Sequence, residues 1–402
     1  MDVEKKNYAW PITTLCKYDY FALQKCLDRN RNVFQDKKIV IMGAGIRGTS
    51  FAIMLKKFGY CNIIFSDNNE IKVGGVINEY PIVSYEEVVE HINEEVVIIS
   101  VENGFSIKQQ LEQSGFVENQ NFFYIENHLY DLYVNEFLSK QNHKYLIMGD
   151  CGITDLSAKD DNFTNLGELL KEKLGADVTK VLAIHAMGMR AFYHILKAQI
   201  KYVEKPETVV VMTNFETFTS KQYLLPRSQH AGLIKRISDS IDNQDQELRE
   251  YAEVTQSRFD NFKVDYFASS QNTLRKMSKS RNDRLIIQMN YMYELKENNE
   301  HIAYLKKMIK MCETYNINLL FFVPPVNYMY ASELFGDVFM EKYQSNVLRL
   351  RSFIPKDIAL LDLSFLLTND QFADLETIDE TANYNGRMFV ASKIVEKVEL
   401  MT

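Results

Sequence analysis

A single cysteine, Cys151, follows a strongly apolar run and lies in a short polar turn. The stretch YLIMGDCGITDL (145–156) is typical of a buried strand that ends in an acidic turn. A thiolate is a stronger nucleophile than a serine hydroxyl near neutral pH, and the pKa of a thiol falls at the start of a helix. Cys151 is therefore a candidate nucleophile, although a buried structural thiol at a strand end would give the same pattern.

Two further residues could stabilise an oxyanion beside this thiol. Gly188 lies between the apolar run KVLAIHA (180–186) and a helical pattern, and Asn214 ends the run TVVVMTN (208–214). In an acyl-transfer transition state, negative charge develops on the carbonyl oxygen. The N–H groups of Cys151 and Gly188 and the side-chain amide of Asn214 could bind that charge, while capping of a strand end is the alternative role for Asn214.

A second candidate site is a glycine-rich turn near the amino terminus. Gly43, Gly45 and Gly48 form G-A-G-I-R-G between an apolar run and a helical pattern. Glycines let a backbone approach a pyrophosphate, and the helix N-terminus supplies N–H groups and a favourable dipole. Asp67, 19 residues after the last glycine, stands where an acid would bind a ribose hydroxyl. The turn predicts a site for NAD or a nucleotide-sugar, with a purely structural role as the alternative.

The composition excludes several classes of protein. A net charge of −8 argues against a general nucleic-acid binder, because such proteins carry a basic face. The five cysteines are odd in number and scattered, with no Cys-x-x-Cys pair, so neither a metal site nor a disulfide is predicted. The amino-terminal residues contain no apolar run of signal-peptide length, and nowhere do 18 apolar residues stand together, so we expect a cytoplasmic protein without membrane contact.

The order of apolar runs predicts an α/β protein with two domains, which is also the expectation for 402 residues. We predict a helical lead-in over 1–36, a nucleotide-binding-type parallel sheet over 37–140, and a second α/β domain over 141–402. Strand runs in the second domain include NLLFFVPP (318–325) and ALLDLS (359–364). Residues from about 220 to 315 have a charged, helix-periodic sequence and predict a helical insertion that could cover a site.

Residues 37–130 resemble a known domain type. The stretch VIMGAGIRGTSFAIMLKKFGYCNIIFSDNNEIKVGGVINEYPIVSYEEV is similar to the small Rossmann-like domains of bacterial polysaccharide-biosynthesis proteins. These domains occur in sugar acyltransferases and beside glycan-modifying enzymes. The resemblance implies a Rossmann-like fold and a nucleotide or nucleotide-sugar ligand.

The second domain resembles the SGNH, or GDSL-like, hydrolases and acyltransferases over about 145–400, with the insertion excluded. Gly149-Asp150-Cys151 matches the Gly-Asp-Ser block of that family, with cysteine in place of serine. Gly188 and Asn214 match the glycine and asparagine of the oxyanion hole, and LLFFVPPVNYMY (319–330) matches a later strand end. The resemblance implies a three-layer α/β fold and acyl transfer through Cys151.

The last block of the family is incomplete here. The family ends with Asp-x-x-His, in which histidine is the general base, whereas this chain has Glu380-x-x-Asn383. Asparagine cannot accept a proton, so either another histidine acts as the base or the activity has been lost. His185 and His194 flank the second block, and His230 lies in the insertion. A satisfied core histidine is the alternative interpretation of His185.

Three hypotheses for the function follow from these patterns. The first is a cytoplasmic acyltransferase or esterase that acts on a sugar or glycan precursor in polysaccharide synthesis. The second is a catalytically inactive protein of the same fold that binds a nucleotide-sugar, and the third is an NAD-dependent oxidoreductase. A small molecule or sugar is the expected partner in each case. Both a monomer and a homo-oligomer remain open.

Overall fold

The computed structural model of the protein describes residues 14–101, 104–125, 127–160, 162–185, 187–219, 230–260, 279–378 and 382–401. The chain divides into two compact units, Met1–Asp131 and Leu132–Thr402. The division falls earlier than the predicted boundary at 140. The helix that begins at Asn127 explains the difference, because the carbonyl of Phe137 near its end accepts a hydrogen bond from Lys180 in the second unit.

The first unit alternates strands and helices around a six-stranded sheet. In chain order its elements are β1 (Thr14–Cys16), α1 (Lys17–Arg29), α2 (Arg31–Phe34), β2 (Lys38–Met42), α3 (Ile46–Lys57), β3 (Ile63–Ser66), β4 (Val76–Ile77), β5 (Tyr80–Val83), α4 (Tyr85–Glu90), β6 (Glu95–Ile99), α5 (Phe105–Gln113) and β7 (Phe122–Tyr124). The strand order is β4-β5-β3-β2-β6-β7. The β4–β5 hairpin was not predicted from the sequence.

The position of β2 in this sheet determines where a ligand would bind. β2 pairs in parallel with β3 on one side and with β6 on the other. The chain therefore adds β3, β4 and β5 on one side of β2, and then adds β6 and β7 on the other side. Such a reversal leaves a crevice at the carboxyl ends of β2 and β6, the two strands between which it occurs. The glycine-rich turn follows β2 directly at that edge.

The second unit is a larger α/β layer structure. Its elements are α6 (Asn127–Leu138), which spans the boundary, then β8 (Tyr145–Gly149), α7 (Cys151–Thr154), β9 (Asp155–Ser157), α8 (Leu166–Leu174), β10 (Thr179–Ala183), α9 (Met189–Ala198), β11 (Thr208–Met212), α10 (Ala231–Ser240), α11 (Gln246–Asp260), α12 (Lys279–Asn290), α13 (Glu300–Tyr315), β12 (Asn318–Val323), α14 (Tyr328–Phe335), α15 (Asp337–Phe353), β13 (Ala359–Asp362) and α16 (Tyr384–Glu399).

Five parallel strands form the centre of this unit in the order β10-β8-β11-β12-β13. One face of the sheet packs against α8 and α16, where Leu169, Leu170 and Ile394 are fully buried. The helix α13 packs against both α9 and β12. The expected α/β fold class is thus confirmed. Here the reversal of strand order lies between β8 and β11, so this crevice opens beyond Gly149 and Met212.

The described part of the predicted insertion is helical, as expected, and comprises α10 to α13. Residues 220–229 and 261–278 of the prediction lie outside the described residues. α11 packs against α10 and α9. Within the described parts of the chain, no helix is both long enough and apolar enough to span a membrane.

Candidate functional site

Cys151 lies at the carboxyl end of the central strand β8, in the first position of α7. All five residues of β8 are buried, and the carboxylate of Asp150 caps the turn by accepting a 3.0 Å hydrogen bond from the Gly152 N–H. Cys151 itself is half-buried. The sequence predicted a helix whose dipole would act on this thiol. α7 has only four residues, so its dipole is small.

Asn214 follows the neighbouring strand β11 and is 3 % exposed. Its side-chain oxygen accepts a 3.1 Å hydrogen bond from the Glu216 N–H, which caps a short 3₁₀ turn over Phe215–Phe218. The amide nitrogen is therefore the end of this side chain that is left to donate to a ligand.

Three side chains of the insertion form hydrogen bonds to the turn that follows Asn214. The amide of Asn290 donates to the Glu216 carboxylate, and the hydroxyl of Tyr293 donates to the Phe215 carbonyl. The amide of Asn299 donates to the carbonyl of Phe218. The end of α12 and the segment between α12 and α13 thus hold the turn that follows Asn214.

Gly188 and His185 lie beyond the other neighbour of β8. Ala183, the last residue of β10, pairs with Gly149, and the Ile184 N–H donates to the Gly149 carbonyl. His185 and Cys151 each lie two residues past this pair, on adjacent strands. Gly188 is the N-cap residue of α9. The sheet therefore brings His185, Gly188, Cys151 and Asn214 to one edge.

A cavity of about 50 Å³ lies at this edge. Its lining includes Gly152, Met212, Asn214, Pro325, Ala382 and Arg387. These residues come from the ends of β8, β11 and β12 and from the start of α16. Three of the four sequence blocks that carry the resemblance thus contribute to the lining of the cavity. The last helix, α16, contributes as well.

Asn383, at the position expected for the family's histidine, serves as the N-cap of α16. Its side-chain oxygen accepts a 3.0 Å hydrogen bond from the Gly386 N–H, and its amide nitrogen donates 2.7 Å to the Asp370 carbonyl. Both ends of the side chain are thus bound to backbone. Glu380, the other predicted residue of this block, lies outside the described residues.

The sequence prediction missed Arg387, a buried cation that lines the cavity. Its guanidinium forms a 2.6 Å ion pair with Asp160 and donates to the carbonyls of Asn162, Thr164 and Ala382. Arg387 lies on the same face of α16 as the buried Val390, Ala391 and Ile394. A cation on an otherwise apolar helix face was the signal that could have revealed it.

The remaining histidine candidates have different surroundings. The Nε2 of His230 lies 2.6 Å from the His185 carbonyl, and the two rings are 5.2 Å apart. His194 instead stacks on Tyr251 with a centroid distance of 4.7 Å. Burial lowers the pKa of His194 to about 4, so its imidazole is neutral near pH 7. His230 thus lies next to His185, whereas His194 packs against helices α11 and α13.

In the first unit, Asp67 is bound by its own chain. Its carboxylate accepts a 2.9 Å hydrogen bond from the Ala44 N–H in the glycine turn and a 2.6 Å ion pair from Lys72. The Asn69 N–H donates to the other oxygen. The acid predicted to bind a ribose thus closes the glycine turn, and its role towards a ribose stays a prediction.

The three glycines of the turn have different surroundings. Gly43 has a φ of +108°, and a Cβ there would lie 2.4 Å from Val101. A Cβ on Gly48 would lie 2.0 Å from the Gly43 carbonyl oxygen. Both glycines are thus required by internal packing. Gly45 alone faces open space, because a Cβ there would have no neighbour within 4 Å. Only this glycine leaves room for a ligand.

Two of the other cysteines have buried thiols that are poor nucleophiles. Burial raises the pKa of Cys26 to about 11 and that of Cys312 to about 12, so both stay protonated. Cys61 is exposed.

Within the described residues no group of three or more His, Cys, Asp or Glu side chains could hold a metal ion.

No protein-family model matches the chain, and a search of curated proteins finds no significant match.

Proposed function

We propose that the second unit is a thiol-dependent acyltransferase or esterase in which Cys151 accepts an acyl group. The observation that carries this proposal is the convergence of three adjacent strands, β10, β8 and β11, on one edge. Gly188, Cys151 and Asn214 follow these strands in that order, with the thiol in the middle. A nucleophile flanked by N–H and amide donors is the arrangement that acyl transfer requires.

The reaction would proceed in two steps. The Cys151 sulfur attacks the carbonyl carbon of an ester, the bond to the leaving alcohol breaks, and the alcohol departs with the proton of the thiol. A hydroxyl group of the acceptor, or water, then attacks the thioester carbonyl and regenerates the thiol. In both steps the Gly188 N–H and the Asn214 amide stabilise the negative oxygen.

His185 is the group that we assign as the base. Asn383 cannot accept a proton, and both ends of its side chain are engaged in capping α16. His185 leaves the strand next to β8 at the level of Cys151, and His230 is bonded to its carbonyl. A neutral imidazole at this place would take the thiol proton and return it to the leaving alcohol.

The acceptor is a sugar hydroxyl of a glycan precursor, and the protein acts in the cytoplasm. The support for both is the resemblance of the two units to SGNH enzymes and to the small domains of polysaccharide-biosynthesis proteins. For the first unit we propose a phosphate-bearing ligand such as a nucleotide-sugar above Gly45, where the turn is open. An NAD-dependent oxidoreductase has less support, because Asp67 is engaged by Lys72 and Ala44.

A ligand-binding protein without catalytic activity is the second candidate. It is favoured by the capping role of Asn383, which leaves the family's base position without a base. The two candidates differ in whether the Cys151 thiol forms a thioester, and this difference can be measured directly.

The test is intact-mass spectrometry after incubation with p-nitrophenyl acetate. We expect the wild type to gain one acetyl group on Cys151, and the Cys151→Ala variant to gain none there. Cys61→Ala is the matched control, because it removes an exposed thiol of the other unit. We expect His185→Ala to slow acetylation by ~10²-fold or more and Asn214→Ala by ~10²-fold. A Cys151 that stays unacetylated but reacts with iodoacetamide would favour the binding protein.

A further inference from the structure

The cavity beside Cys151 has a size that selects among acyl groups. A dry protein cavity of about 150 Å³ can hold benzene, which has six carbon atoms. By this comparison a cavity of about 50 Å³ holds two or three non-hydrogen atoms. An acetyl group has three, whereas a butyryl group has five. The cavity therefore accommodates a whole acetyl group, whereas a longer chain would extend beyond it or displace its walls.

The chemistry of the walls points to an apolar acyl chain. The side chains of Leu166, Met212, Pro324, Val326 and Val390 supply the apolar lining. All five are buried or nearly so, and Met212 and Val390 are only 1 % and 2 % exposed. An alkyl group placed between them would lose water without leaving a polar group unpaired.

Arg387, the cation among the described lining residues, does not favour a charged acyl group. Arg387 already donates to Asp160, Asn162, Thr164 and Ala382. A carboxylate on the acyl chain, as in a succinyl group, would have to compete with the buried Asp160, whose pair with Arg387 is 2.6 Å long. A short uncharged acyl group needs no such exchange.

The polar end of the cavity adjoins the nucleophile. Gly152, the residue after Cys151, and Asn214 both line it. A carbonyl bound between the Cys151 sulfur and the Asn214 amide would therefore occupy the polar end of the cavity, with its alkyl group against the apolar walls. Met212 forms the nearest wall, because a Cβ on Gly152 would lie only 2.6 Å from the Met212 methyl carbon.

We infer that the second unit transfers acetyl groups, and that Met212 and Val390 set the upper limit on acyl length. The inference rests on the proposed function, since it assumes acylation of Cys151. The thiol sulfur bonds to the acetyl carbonyl carbon, the alcohol leaves with the thiol proton, and the whole acetyl group occupies the cavity.

The test compares p-nitrophenyl acetate, butyrate and octanoate by the rate of Cys151 acylation, followed by mass spectrometry of the peptide that contains it. We expect the wild type to react with acetate at least ~10-fold faster than with butyrate, as is usual for a pocket that discriminates by methylene groups. Met212→Ala removes three side-chain atoms from the wall, so its acetate-to-butyrate ratio should fall towards one. Val390→Ala enlarges the same cavity from α16 and gives a second test if Met212→Ala does not fold.

Met289→Ala is the matched control, because Met289 is 45 % exposed on α12 and should leave the ratio unchanged. Equal wild-type rates for acetate and butyrate would overturn the inference while leaving Cys151 as the nucleophile. An unchanged ratio in folded Met212→Ala and Val390→Ala would also overturn it. Absence of acylation by all three esters would overturn the proposed function, and the inference with it.

Discussion

Two buried histidines make the stability of the second unit depend on pH. Burial lowers the pKa of His194 and of His301 to about 4, from an ordinary value of 6.5. The unfolded chain therefore binds protons on these residues at a pH where the folded chain does not. Their contribution to the free energy of unfolding is complete above pH 6.5 and is lost as the pH falls from 6.5 towards 4.

The size of this loss follows from the two pKa values. For one histidine with pKa values of about 4 folded and 6.5 unfolded, lowering the pH from 7 to 5 costs about 2 kcal/mol of stability. The two residues together cost about 4 kcal/mol, a large part of the stability of an ordinary domain. The charged and titratable groups around His194 come from all three packed helices: Arg190 and Lys197 on α9, Glu247 and Tyr251 on α11, and Tyr304 and Lys307 on α13.

The measurement is urea unfolding at pH 7, 6 and 5, with His194→Phe as the perturbation. Phenylalanine keeps a ring to stack on Tyr251 but cannot be protonated, so the variant should lose about 2 kcal/mol less than the wild type between pH 7 and 5. Tyr193→Phe is the control, because Tyr193 contacts the same imidazole ring but does not titrate between pH 5 and 7, so this variant should follow the wild type. If His194→Phe has the same pH dependence as the wild type, the neutral buried state of His194 is refuted. Titration of the imidazole signals by NMR would give the same answer independently.

Three further predictions concern single side chains. Asn383→Ala should lower the free energy of unfolding by ~1 kcal/mol through loss of the helix cap, without changing the Cys151 acetylation rate per folded molecule; a slower rate at unchanged stability would make Asn383 a participant in the reaction. Arg387→Met leaves the buried carboxylate of Asp160 without its cation and should cost ~3–5 kcal/mol in denaturant unfolding, and the cost should be smaller in an Asp160→Asn background. Asp67→Asn loses the ion pair with Lys72 but retains an oxygen for the Ala44 N–H, so we expect nucleotide binding by calorimetry to be unchanged or stronger; weaker binding would restore the ribose-binding role of the acid.

Local sequence patterns predicted the central strands of the second sheet. The apolar run before Gly43 forms the strand β2 (Lys38–Met42), because a continuous apolar run bounded by glycine suffices to define a buried parallel strand. The hairpin of Val76–Ile77 and Tyr80–Val83 was missed. Its strands are only two and four residues long and include Pro81, so neither periodicity nor β-propensity had enough residues to give a signal.

Motif spacing also located the candidate site to a useful degree. Cys151, Gly188 and Asn214 were proposed from their places after apolar runs, and the parallel sheet brings them to one edge because parallel strands end together. The same reasoning could not find the partner of each polar group. Asp67 fitted the spacing of a ribose-binding acid, yet the chain itself supplies Lys72 and the Ala44 N–H to its carboxylate.

The sequence by itself determined the class of fold, the order of the strands along the chain and the residue types available for chemistry. Only the tertiary structure decided which groups are already engaged. Arg387 and Asp160 are 227 residues apart in sequence, and no local pattern links them, although burial makes their pairing obligatory. Likewise the size of the cavity depends on side chains from four separate elements, and their packing is decided only when the whole sheet and its helices assemble.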